Sequence, residues 1–219
     1  MMNIPKLPLS SISVSGQDRL KWCQGLVTQD INQSTAVTTF ACNHQGKTIA
    51  MIWLLHAEEN LHLITHESTR DALFDHLVNY ILTEDIVISK DQRPIYGCLQ
   101  THMDWAYDYA LTWSVPEIPL SPALWHQKLA EQQTVLVTQH SSRQWLPSLL
   151  THRLFDWVSL TKGCYLGQEI LARLHHKGTL KKQLIQLHGS YSLGSTIKHG
   201  NTNAYVVDVV SPSTAWAIG

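Results

Sequence analysis

The stretch Thr161-Lys162-Gly163-Cys164-Tyr165-Leu166-Gly167-Gln168-Glu169, continuing through Ile170-Leu171-Ala172-Arg173, holds the densest chemistry in the chain. Gly163 and Gly167 bracket a segment able to turn sharply or to approach a ligand closely. Gln168 to Leu174 reads as the start of a helix, with Glu169 well placed in its first turn. Cys164 therefore lies just ahead of a helix N-terminus and two residues from Lys162. Both neighbours favour the thiolate, the form that serves as nucleophile, redox centre or metal ligand. Arg173 and Lys177 add positive charge suited to an anionic ligand. Local chemistry alone leaves a second reading open, in which Cys164 is a small buried hydrophobe in a structural turn.

The pattern extends on both sides. Lys162–Glu169 fits K-G-C-Y-x-G-Q-E at every fixed position, and Ala172-Arg173-Leu174-His175-His176-Lys177-Gly178 with Leu180-Lys181-Lys182 follows a run of the form A-R-x-H-x-x-G-x-x-K-R. Upstream, Gly16-Gln17-Asp18 and Gln24-Gly25-Leu26-Val27-Thr28-Gln29-Asp30 fit G-x-D…Q-G-x-x-T-x-D, and Asn43-His44-Gln45-Gly46-Lys47 fits N-x-x-G-K. Taken in this order the motifs resemble those of the YgfZ family. That resemblance implies an α+β fold shared with the glycine-cleavage T protein, an aminomethyltransferase, which cups tetrahydrofolate or a related reduced folate in a central cavity. It further implies a folate-binding helper in the assembly or repair of iron–sulfur clusters in client enzymes, a tRNA-thiolating enzyme among them, dependent on the motif cysteine. Carried onto this chain, the reacting residues are Cys164 and its neighbour Lys162. Tyr165, Gln168, Glu169 and Arg173 are the candidate folate contacts. Family members carry a fuller C-terminal β domain than residues 183–219 supply, so a truncated β segment packed onto the body is expected.

Outside these motifs, periodicity sets the expected elements. Leu20, Cys23, Val27 and Ile31 recur at helical spacing behind a capping-box-like Ser15-Gly16-Gln17-Asp18, which predicts a helix as the first regular element. Val37–Asn43 and Thr48–Leu55 read as strands joined by the turn at 44–47, followed by a strand at Leu61–Thr65. Ser68-Thr69-Arg70-Asp71 is expected to cap a helix with an apolar face of Leu73, Leu77 and Ile81. Strands are expected at Asp85–Ser89, Ile95–Thr101, Tyr107–Trp113 and Thr134–Thr138, and a short helix starts at Ser121-Pro122. In the tail, Gln183–His188, Ala204–Val210 and Ala215–Ile218 read as strands. The expected organisation is an N-terminal α+β domain at 1–114, a middle segment at 115–182 carrying the cysteine motif, and the β segment at 183–219. Val115–Pro122 stands between the first two as a linker or a bent loop.

Composition narrows the function classes. A net charge of −1 with 15% charged residues lacks the basic footprint of a general nucleic-acid binder. The one basic cluster is Arg173, Lys177, Lys181 and Lys182, so nucleic acid is not an expected partner, though a tRNA-binding module remains a rival reading. The longest apolar run, Ile49 to Leu55, is far short of the roughly 20 residues of a membrane-spanning helix. Together with the absence of a signal-like N-terminus, this makes a soluble, cytoplasmic protein the expectation. Cys23, Cys42, Cys98 and Cys164 are widely spaced with no CxxC pair, which favours thiols and offers no local metal-ligand spacing. His175 and His176, as adjacent helical residues, point apart, so no metal site is expected there. A one-carbon transferase of the T-protein kind is the other rival. Such an enzyme calls for a carboxylate in its cavity; in the T proteins that this chain resembles an Asp follows the N-x-x-G turn, and the matching stretch Lys47-Thr48-Ile49-Ala50-Met51-Ile52 holds none.

Overall fold

The computed structural model describes residues 4–99, 109–178 and 180–219. In chain order the elements are β1 (Leu9–Ser15), α1 (Arg19–Gln24), β2 (Ala36–Cys42), β3 (Thr48–His56), β4 (Leu61–His66), α2 (Glu67–Val78), β5 (Val87–Asp91), β6 (Tyr96–Leu99), β7 (Tyr109–Thr112), β8 (Pro119–Leu120), α3 (Pro122–Glu131), α4 (Leu154–Trp157), α5 (Gln168–Lys177), β9 (Leu184–His188), β10 (Thr196–His199), β11 (Thr202–Ser211) and β12 (Thr214–Ile218). A 3-10 turn at Pro147–Leu149 precedes α4.

The apolar run in β3 explains the architecture. A strand with no polar face must be covered on both sides. β3 lies inside a five-stranded sheet of order β2-β3-β4-β1-β5, all of its pairings antiparallel. Its side chains alternate between two cores, Met51 and Trp53 in one, Ala50, Ile52 and Leu54 in the other. Trp22 and Cys23 of α1 and Leu73 and Leu77 of α2 close the second core. Trp125 and Leu129 of α3, Trp157 of α4, Tyr165 of the loop before α5 and Leu171 of α5 close the first, together with Leu184, Val207, Trp216 and Ile218 from the C-terminal sheet. That sheet has the order β10-β11-β12-β9, and a small third sheet has the order β7-β6-β8.

Most strands fall where expected, and the differences have physical reasons. The first regular element is the strand β1, not a helix. Three serines among the residues Ser10 to Ser13 mask its alternation, although Ile12 and Val14 enter the second core. The predicted long first helix is only α1. It stops at Gly25, and Val27 and Ile31 are buried from an irregular turn instead. Asp18 does not cap it with its side chain; the carboxylate accepts from Asp85 N at 2.8 Å. α2 is capped by His66, whose Nδ1 accepts from Ser68 N at 3.2 Å, and it ends before Ile81. Thr134–Thr138 forms no strand. Thr134 makes an isolated bridge to Thr151, and Leu136 N turns to the Asp208 carboxylate. β5 sits slightly later than the predicted Asp85–Ser89, at Val87–Asp91. β6 and β7 match the described parts of their predicted strands, while residues 100–108 lie outside the described residues. β8, inside Val115–Pro122, pairs with β6 across the expected boundary at 114/115. β10 is an addition to the tail, whose serines and glycines hid it.

The C-terminal sheet is tied to the body by polar as well as apolar contacts. Asp208 on β11, 3% exposed, accepts through one carboxylate oxygen from Leu136 N at 3.0 Å and meets His126 Nε2 of α3 at 3.0 Å. Among the described residues no helix is long and apolar enough to cross a membrane.

Candidate functional site

The 24–30 half of the N-terminal motif and the 43–47 turn, far apart along the chain, meet around the loop that carries Cys164. Lys162 is the joint. Its side chain is buried, and Nζ donates to the carbonyl oxygens of Gln24 at 2.7 Å, Val27 at 2.7 Å and Gln29 at 2.8 Å. An ammonium has three N–H donors, and here each has an acceptor. Burial pushes its pKa down to about 8, with the nearby Cys23 and Asp30 pulling the other way, so the group is charged at neutral pH. The adjoining loop is fixed at a second point, where Leu166 N donates to Gly25 O at 3.0 Å. Thr28 in the same turn donates from Oγ1 to Trp157 O at 2.8 Å.

The N-x-x-G-K turn is the other wall. Asn43 Oδ1 accepts from Gln45 N and Lys47 N, closing the turn. Gly167 adopts φ +84° just before α5, and a Cβ there would lie 2.8 Å from Asn43 O and 3.0 Å from Gly46 Cα. Gly46, at φ +74°, in turn packs under Ile170. Glycine at 167 is therefore demanded twice, by its left-handed backbone and by the closeness of the turn.

Gln168 staples the loop internally, its Oε1 accepting from Tyr165 N at 3.3 Å and its Nε2 donating to Lys162 O at 3.4 Å. Tyr165 points into the main core, its ring 5.0 Å from Lys162 Nζ. Burial raises its phenol pKa, and its Oη has no hydrogen-bond partner among the described residues. Cys164, held between these anchors, is exposed.

The sequence-derived candidates thus separate. Cys164 is presented to solvent. Lys162, expected beside it, directs its ammonium to three carbonyls of the 24–29 turn, partners invisible in sequence because backbone oxygens carry no residue signature. Tyr165 and Gln168 hold the loop. Glu169 and Arg173 are exposed on α5 with no hydrogen bond or ion pair among the described residues. Of the other thiols, Cys23 and Cys42 are buried, which pushes each up to about 12, and Cys98 is half-buried. Among the described residues no group of three or more His, Cys, Asp or Glu could hold a metal ion.

A reduced folate asks for flat apolar walls, polar atoms at the pterin edge and a cation for its glutamate. A cleft of about 610 Å³ at the end of β3 and along β7 offers part of such a set. Leu55, Leu111 and Trp113 line it, with the carboxylate of Glu117. The Trp113 indole N–H is buried without a partner among the described residues, and the Arg93 guanidinium lies 4.7 Å from the ring centre. The apolar walls and that indole N–H suit a flat ring in size and polarity, while the Arg93 guanidinium is paired with Asp91 and does not line the cleft. Sequence motifs gave no pointer to this cleft.

No family model matches the chain. Two curated relatives are both described as tRNA-modifying protein YgfZ. The chain is 26% identical to that of Yersinia pseudotuberculosis serotype O:1b, covering 83% of this chain and 69% of the relative. It is 24% identical to that of Serratia proteamaculans, covering 81% and 68%. Among solved structures, the glycine cleavage system aminomethyltransferase T from Bartonella henselae superposes with a TM-score of 0.66 at 10% identity, over 96% of this chain and 75% of that one. The fold is α+β, of the YgfZ type and like that of the T protein, as the motifs implied.

Proposed function

We propose that this chain is a cytoplasmic, folate-binding helper in the assembly or repair of iron–sulfur clusters, serving selected enzymes that include tRNA-modifying ones. The observation that carries the reading is the presentation of Cys164: an exposed thiol on a loop pinned by Lys162, Gln168 and Gly167, while Cys23 and Cys42 are buried. Rigid support of one accessible nucleophile is what a site for sulfur or iron chemistry requires. The likeness to proteins named as tRNA-modifying supports the choice of client. A reduced folate supplies an easily oxidised pterin ring. Trp113 and Glu117 would hold it in the cleft, or Glu169 and Arg173 on α5. β3 carries no Asp or Glu beside the 43–47 turn, which favours a helper over an aminomethyl transferase.

Two measurements test this. Cys164→Ser, correctly folded, should fail to complement a strain lacking the helper; full complementation removes the thiol from the function. Titration with tetrahydrofolate should quench tryptophan fluorescence saturably. Loss of the response in Trp113→Phe assigns the ligand to the cleft, loss of affinity in Glu169→Gln assigns it to α5, and no quenching of the wild type removes folate.

A further inference from the structure

On the far side of α5 from its exposed Glu169 and Arg173 lies a hollow of about 400 Å³. Its floor and walls are Leu171 and Leu174 of α5, Leu154 and Phe155 of α4, and Val158 and Leu160 beyond it. On α5, Leu171, Leu174, His175 and Gly178 fall at i, i+3, i+4 and i+7, a single stripe facing the groove. Phe155 is 56% exposed, yet its ring is not loose, because His175 packs against it edge-on at 4.8 Å. Ser148 Oγ lines the same hollow, buried and without a hydrogen-bond partner among the described residues.

Charge completes the description. No Asp or Glu occurs between Glu169 and Asp208, whereas that stretch holds Arg173, Lys177, Lys181, Lys182 and Lys198. His175 lines the groove, and exposed Lys181 and Lys182 directly follow its wall residue Leu180. The acid Asp156 on α4 is paired with Arg153 at 2.7 Å. Exposed Lys181 thus stands beside an aliphatic floor, while Lys182 Nζ lies 5.0 Å from the centre of the Trp145 ring.

We propose that this groove docks an acidic amphipathic helix of a partner protein, apolar side chains seated on Leu154, Phe155, Leu171 and Leu174 and carboxylates facing Lys181. This rests on the helper reading and deepens it by saying how a client is held: α5 spans about 15 Å from the Cys164 loop to the groove end, so a docked client lies within reach of the thiol. A concave, mainly aliphatic wall suits leucine-like anchors better than nucleobases, which stack on open flat rings.

The test is fluorescence anisotropy with the full chain and a labelled synthetic helix bearing Leu on one face and Glu on the other. Saturable binding, weakened by added salt and by about tenfold or more in Phe155→Glu and in Lys181→Glu, is expected. Both variants change exposed residues, and circular dichroism checks that they fold. Cys164→Ser should bind the peptide as the wild type does, so loss of thiol function and loss of docking are separate results. Absence of saturable binding, equal binding by the variants, equal binding of a Lys-for-Glu peptide, or displacement of the peptide by a single-stranded RNA or an anionic vesicle at lower concentration would each overturn the proposal.

Discussion

Lys162→Met keeps the length and apolar stem of the side chain and deletes only the ammonium. Three carbonyls then lose their donor, that of Val27 in a buried setting and those of Gln24 and Gln29 in partly buried ones. A buried acceptor left unpaired costs about 1–3 kcal/mol. Water can reach two of the three, and removing a desolvated charge returns part of the loss, so the expected destabilisation is about 3 kcal/mol. The assay is urea unfolding followed by tryptophan fluorescence, read as a fall in midpoint with the slope unchanged. A second readout separates positioning from activation. If Lys162 acts on the loop, the alkylation rate of Cys164 in the folded variant keeps its dependence on pH. A variant with wild-type stability and a slowed, alkaline-shifted alkylation would show that Lys162 serves the thiol after all, and would refute the clamp.

Other outcomes follow from the same geometry. Gly167→Ala forces a side chain into a left-handed position against Asn43 O, and its thermal midpoint should fall by the equivalent of about 1–3 kcal/mol or more; an unchanged midpoint would mean that the two turns do not touch. In native protein a disulfide reagent should titrate Cys164 at once and Cys98 more slowly, with Cys23 and Cys42 reacting only after denaturation. Burial pulls the pKa of His126 down, but the hydrogen bond and charge of Asp208 outweigh it and leave the value raised. A raised folded-state pKa stabilises fully below the unfolded value, about 6.5, and the gain is lost as pH climbs through the folded one. Wild type should therefore exceed His126→Phe in stability by more at about pH 5.5 than at about pH 8.5, and a gap that widens with pH would contradict the pairing.

Sheet and motif were legible in the sequence for different reasons. β2, β3 and β4 announce themselves through apolar alternation and a glycine turn, and the motifs named both the family likeness and the thiol. β1 was hidden because serine fills its strand positions without marking a period, and β10 because its four residues hold one apolar side chain, Ile197. The first helix was overextended because Val27 and Ile31 continue its spacing while leaving its axis; burial, not helicity, selected them. Of the site residues, the position of Cys164 ahead of a helix was legible, whereas its exposure was not, because local chemistry left a buried thiol equally open. The three carbonyl partners of Lys162 were not legible, since proximity in sequence cannot show which way a long side chain turns. Trp113, Phe155 and the His126–Asp208 pair were not found, because each acquires its meaning only when distant segments meet.

The bonds of Lys162 join positions separated by as many as 138 residues. On a ribosome adding about 5–20 residues per second, the 24–29 turn therefore waits roughly 7–28 s before its cation is even made. Through that interval Cys23, sealed in the finished protein, is an ordinary open thiol on a nascent chain. An oxidant pulse during synthesis should mark it, whereas the same pulse delivered after release should leave it untouched.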